Sequence, residues 1–149
     1  MRLYIDSSAL VCIYVREAAT AAIVTAVQAE RRAVAMNALQ EFEVRNAIRQ
    51  KVIHSLTSEG ATVGALRALD DDIVMKRILR TTVNWTRVFE QAEELSARHS
   101  LRRRARAIDL LHIAIALVSG VKRFLTLDAA QAEVARLAGL ETDTGTLQR

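Results

Sequence analysis

Four acidic residues sit where a charge is expensive. Asp6 closes the strand-like run of residues 1–5, and Glu43 lies inside the helical stretch 39–48. Asp109 opens an apolar helix over 108–116, and Asp128 ends the strand-like run that begins at Phe124. Three of these are embedded in apolar sequence, while Glu43 shares its helical face with Leu39, Asn46 and Ala47, which turns it inward. A buried carboxylate without a partner either costs several kcal/mol or takes up a proton. Four such residues in one chain are economically explained as oxygen ligands gathered around a hard divalent cation, Mg²⁺ or Mn²⁺. Such a cation acidifies a bound water and stabilises charge on a phosphate, so the set points to hydrolysis of phosphodiester bonds. Asp6, Glu43, Asp109 and Asp128 are therefore the candidate metal ligands and catalytic residues.

Each residue also has a simpler reading. Asp6 precedes Ser7 and Ser8 and can cap the following helix, although either serine can do the same. Glu41 competes with Glu43, but Arg45 stands four residues on and marks Glu41 as one half of a surface pair. Asp109 can cap its own helix, and cap and ligand are not exclusive roles. His112, one turn further, reads either as a ligand or base or as a packed histidine that supports the site. Asp128 can cap the helix starting near Ala129. Thr126, two residues earlier and on the same side of the strand, offers a hydroxyl to orient Asp128 or a water. Arg102, Arg103, Arg104 and Arg106 form a run that reads equally as a solvated loop or as a guide for phosphates approaching Asp109. The simpler readings account for each residue separately and leave their joint occurrence unexplained.

The elements that position these residues alternate in type. Residues 2–6, 32–36 and 122–127 read as strands, and 81–85 as a brief strand or loop. Helices are expected over 8–16, 18–31, 38–55 (ending near Ser55 and Thr57), 63–80, 86–99, 109–119 and 129–138, the last stopping at Gly139. Strands separated by helices favour a parallel sheet covered by helices, here a single α/β domain over residues 1–149. In such sheets ligands bind beyond the carboxyl ends of the strands, where Asp6 and Asp128 stand. If their strands are neighbours, the two side chains converge.

A chain of 149 residues can bury a core without disulfides, and its one cysteine, Cys12, reads as a small hydrophobe. No apolar run approaches membrane-spanning length and no signal peptide is evident, so a cytoplasmic protein is expected. The net charge of +4 and a pI near 9.8 suit a polyanionic partner. A basic surface around a locally acidic site is what a metal-dependent nuclease requires.

Residues 4–10 (Tyr-Ile-Asp-Ser-Ser-Ala-Leu), 43–47 (Glu-Val-Arg-Asn-Ala), 107–116 (Ala-Ile-Asp-Leu-Leu-His-Ile-Ala-Ile-Ala) and 124–128 (Phe-Leu-Thr-Leu-Asp) are similar, in order and spacing, to the four signature segments of PIN-domain ribonucleases. The resemblance is closest to the compact VapC-type toxins and covers essentially the whole chain. It implies a three-layer α/β/α domain with a central parallel sheet and an acidic site that binds Mg²⁺ or Mn²⁺ and cleaves RNA. It assigns Asp6, Glu43, Asp109 and Asp128 to the metal, with Ser8 and Thr126 as polar support. It also implies a homodimer and a cognate antitoxin protein that holds the toxin inactive. Two positions depart from the pattern: Ser7 stands where threonine is commoner, and Gln131 where some relatives carry a further carboxylate.

Three rivals remain. A phosphatase using Asp6 as a covalent nucleophile would place a second aspartate two residues on, where this chain has Ser8. A binding module that had lost its chemistry would not need all four acids. A housekeeping nuclease of RNA maturation would share the site and differ in partners.

Overall fold

The computed structural model describes residues 3–53 and 58–143. Its contacts divide the described residues into two compact units, 3–6 with 83–143, and 7–53 with 58–82.

The first unit is built on three parallel strands, β1 (Leu3–Ile5), β4 (Arg123–Leu125) and β5 (Glu141–Asp143), with β4 in the middle. Tyr4 pairs with Phe124 and Ile5 with Leu125, and the ladder runs on one step as Asp6 N–H donates to Leu125 O at 2.8 Å. The strands of Asp6 and Asp128 are thus neighbours, as convergence required. Three helices complete this unit: α5 (Trp85–His99), α6 (Ala107–Val118) and α7 (Ala129–Leu137). Helix α6 buries Leu110, His112, Ile113, Ala114, Ile115 and Ala116, in keeping with its apolar sequence. Asn84 starts α5 by accepting from Arg87 N–H, and Gly139 leaves α7 with φ +91°.

The second unit carries β2 (Val34–Asn37) and β3 (Ile78–Thr81), also parallel, with α1 (Ser7–Tyr14), α2 (Thr20–Ala29), α3 (Ala38–Ile53) and α4 (Glu59–Val74). Helix α3 opens on a reciprocal cap. Asn37 Oδ1 accepts from Gln40 N–H while Gln40 Oε1 accepts from Asn37 N–H, and both side chains are buried. The expected end of α3 near Ser55 and Thr57, and the expected start of β1 at Arg2, lie outside the described residues. Among the described residues no helix is long and apolar enough to cross a membrane.

The α/β class and parallel strands are as the sequence indicates; three details differ. The helix expected over 63–80 starts earlier, on the Ser58 cap, runs through both Gly60 and Gly64, and ends at Val74. Lys76 then takes a left-handed turn at φ +57°, and residues 78–81 pair with β2 as a strand. Strand β5 was not expected at all.

Glu41 is less solvated than its sequence suggests. Its carboxylate accepts from Arg80 Nε and Nη2 at 2.8 Å and from Arg45 Nε and Nη2 at 3.0 Å, and Arg45 also reaches Asp70. Arg80 first, and then Arg45, hold its carboxyl at about 2 instead of the ordinary 4.5. A carboxyl depressed in the folded state stabilises the fold above its unfolded value, and that contribution fades as pH falls through about 4.5 towards 2. Urea midpoints measured from pH 7 to pH 3 should therefore fall less steeply in Glu41→Gln than in the parent protein. Parallel profiles would show that the network contributes nothing.

Candidate active site

Asp6 sits one residue beyond β1, and its residue is only 5% exposed. Thr126 Oγ1, Gln131 Nε2 and His112 Nε2 each stand 3.4 Å from its carboxylate oxygens. His112, buried in α6, also meets Tyr4 Oη through Nδ1 at 2.7 Å. A neutral imidazole with its proton on Nε2 satisfies both contacts: Tyr4 donates to Nδ1, and Nε2–H points at Asp6.

Asp128 caps α7, its Oδ1 accepting from Gln131 N–H at 3.0 Å. Thr126 Oγ1 accepts from Asp128 N–H at 3.0 Å and donates to Gln131 Oε1 at 2.5 Å. The hydroxyl thus fixes the backbone that presents Asp128, while Gln131 ties that turn to Asp6. Tyr4 and Gln131 are the residues here that sequence reasoning did not assign. Gln131 falls on the first turn of α7, where a polar side chain gives no signal of burial.

Asp109 lies in the first turn of α6 and accepts from Arg106 N–H, as the capping reading expected. Its two oxygens also receive the Arg106 guanidinium as a fork, Nε to Oδ2 and Nη2 to Oδ1, each at 3.0 Å. The same Nη2 stands 3.7 Å from Asp128 Oδ2. Asp109 chiefly, then Asp128 and Asp6, raise the guanidinium's affinity for its proton further. The first unit therefore brings Asp6, Asp109, Asp128, Thr126, His112 and Arg106 into one charged neighbourhood. Among the described residues, no three His, Cys, Asp or Glu side chains converge closely enough to hold a metal as they stand. The donor chemistry nevertheless fits a hard cation: carboxylate and hydroxyl oxygens, with one cationic group already spanning two of the acids.

Glu43 and Ser8 belong to the second unit. Glu43 is half-buried on α3, and Ser7 Oγ donates to its Oε2 at 3.1 Å. Ser8, on the next position of α1, is exposed. Of the arginine run, Arg103 pairs with Glu133 at 2.7 Å, Arg106 is engaged as above, and Arg102 and Arg104 are exposed. Burial and the neighbouring Glu17 push the Cys12 thiol up to about 11, which leaves it an unreactive packing residue.

Comparison with known proteins places the chain in a family. The PIN domain family profile matches residues 3–137. Among solved structures, the chain is similar to that described as the crystal structure of FitAcB from Neisseria gonorrhoeae. The TM-score is 0.66 at 16% identity, covering 97% of this chain and 98% of that one. At that identity the likeness speaks for the fold alone. Comparison with curated proteins finds no match. With its profile match running from β1 into α7, the chain belongs to the PIN domain family, whose members are generally nucleases.

Proposed function

We propose that the chain forms a single PIN domain acting as a divalent-metal-dependent endoribonuclease, the toxin of a toxin–antitoxin pair. In this reading Asp6, Asp109 and Asp128 hold Mg²⁺ or Mn²⁺, and the resemblance to VapC-type toxins assigns Glu43 as a further ligand. The observation that carries it is the sharing of one cationic group by Asp109 and Asp128 beside the buried Asp6. When bound, the metal supplies Lewis acidity toward the scissile phosphate and acidifies a water. The chain's own residues hold the ligands in place. His112 and Gln131 orient Asp6, Thr126 fixes the turn of Asp128, and the exposed Arg102 and Arg104 offer positive charge to an approaching backbone. Resemblance to VapC-type toxins supports the antitoxin partner, the homodimer and a cytoplasmic setting. The departure at Gln131 favours one cation over two, since an amide replaces a charged ligand there.

The test is incubation of purified protein with total cellular RNA in Mg²⁺, in Mn²⁺ and in EDTA, beside Asp109→Asn. Cleavage that needs metal and disappears in the variant is the expected result. A folded protein that binds metal yet cuts no RNA under any of these conditions would move the reading to a binding module.

A further inference from the structure

The sequence leaves Arg106 as part of a solvated loop or as a guide for phosphates, and in the structure it is engaged by carboxylates. Its guanidinium grips both oxygens of Asp109 and reaches toward Asp128, while 73% of its side chain remains open to solvent. A fork–carboxylate pair is directional and charge-assisted, yet one so exposed is held weakly enough to exchange. Oxygens that accept from the guanidinium are the same oxygens that a cation would need. Both partners cannot use the lone pairs of Asp109 Oδ1 in full at once.

We propose that Arg106 is a built-in counter-cation of the acidic site, which offsets part of the charge of Asp109 and Asp128 in the metal-free protein and is displaced when a divalent ion binds. The inference rests on the proposed metal site. Three properties follow. Repulsion between the carboxylates of the metal-free cluster is reduced. Metal affinity is lower than the carboxylates alone would give, because the ion must compete with the guanidinium. Linkage makes the competition reciprocal: the ion weakens the Arg106–Asp109 pair by the factor by which the pair weakens binding of the ion. Helix α6 keeps its start when the side chain is changed, because the cap to Asp109 comes from the Arg106 backbone N–H.

The experiment is Mn²⁺ binding to the purified full chain, measured as free Mn²⁺ by electron paramagnetic resonance. Parent, Arg106→Gln, Arg106→Lys and Arg98→Gln are compared. Arg98 pairs with Glu94 on α5, so its variant removes the same charge without touching the fork. Arg106→Gln should bind about three- to tenfold tighter, equivalent to about 0.7–1.4 kcal/mol. Arg106→Lys should fall between it and the parent, and Arg98→Gln should match the parent. In parallel, the Arg106 Nε–H resonance should lose its hydrogen-bonded shift when Mg²⁺ is added. A parent that binds Mn²⁺, with Arg106→Gln no tighter or Arg98→Gln equally enhanced, would overturn the displacement idea and leave the metal site standing. A parent that binds no Mn²⁺, with Arg106→Gln equally silent, would remove the metal site and this inference together.

Discussion

Asp6→Asn is expected to abolish metal-dependent cleavage for practical purposes, by about a thousandfold. The substitution preserves shape and removes a charge that sits 5% exposed at the end of β1. A divalent ion contributes several kcal/mol of transition-state stabilisation, and loss of about 4 kcal/mol of it corresponds to about a thousandfold in rate. Folding should survive, because an amide of the same shape replaces the carboxylate beside Thr126, Gln131 and His112 at 3.4 Å. The discriminating readout is thermal. A ligand at about 100 times its Kd stabilises by about 2.7 kcal/mol, and weakening it a hundredfold nearly erases that gain. Mg²⁺ should therefore raise the melting temperature of the parent and leave that of Asp6→Asn almost unmoved. Equal shifts in the two proteins would detach the metal from Asp6.

The positions of Asp6 and Asp128 were legible because each ends a short apolar run whose strand nature is plain, and parallel α/β folds gather ligands at such ends. Asp109 was legible for a different reason: an apolar helix of this length must be buried, so its opening acid is buried too. What could not be read was pairing across the chain. Tyr4 looks like any aromatic on a strand, yet it anchors His112 from 108 residues away. Arg106 looks like one of four arginines, and only its place three residues before Asp109 hinted at a fork. The Glu43–Ser7 contact likewise spans 36 residues.

The fold shows the same division. Helices with strong punctuation fell within a few residues of expectation, as Gly139 and Asn84 illustrate. Strand β3 was absorbed into α4 because Leu66, Leu69, Ile73 and Leu79 continue a helical period, while the break depends on Lys76 adopting a left-handed conformation that its side chain does not advertise. Strand β5 is Glu-Thr-Asp at a sheet edge, with no apolar residue to signal it. Local propensity cannot find a strand whose existence depends on its neighbour.

Phe124→Ala tests how far the site depends on the core beneath it. Phe124 is fully buried on the middle strand, and its ring stacks on Tyr4 at 5.4 Å between centroids and 5° between planes. Truncating a buried phenylalanine costs about 3–5 kcal/mol. A domain of this size has about 5–15 kcal/mol in total, so the variant should be folded but marginal, with a markedly lower urea midpoint. Phe124→Leu, which keeps most of the volume, should lose far less. The consequence for function passes through Tyr4: without the stack its ring gains freedom, His112 loses a fixed hydrogen-bond donor at 2.7 Å, and Asp6 loses a fixed neighbour. Metal affinity should therefore drop in Phe124→Ala even at temperatures where the protein remains folded, and Phe124→Leu should largely retain it. A Phe124→Ala protein within about 1 kcal/mol of the parent would mean that this core collapses easily around the gap. Unchanged metal binding in a destabilised variant would mean that Asp6 is held by its own turn, independently of the aromatic pair below.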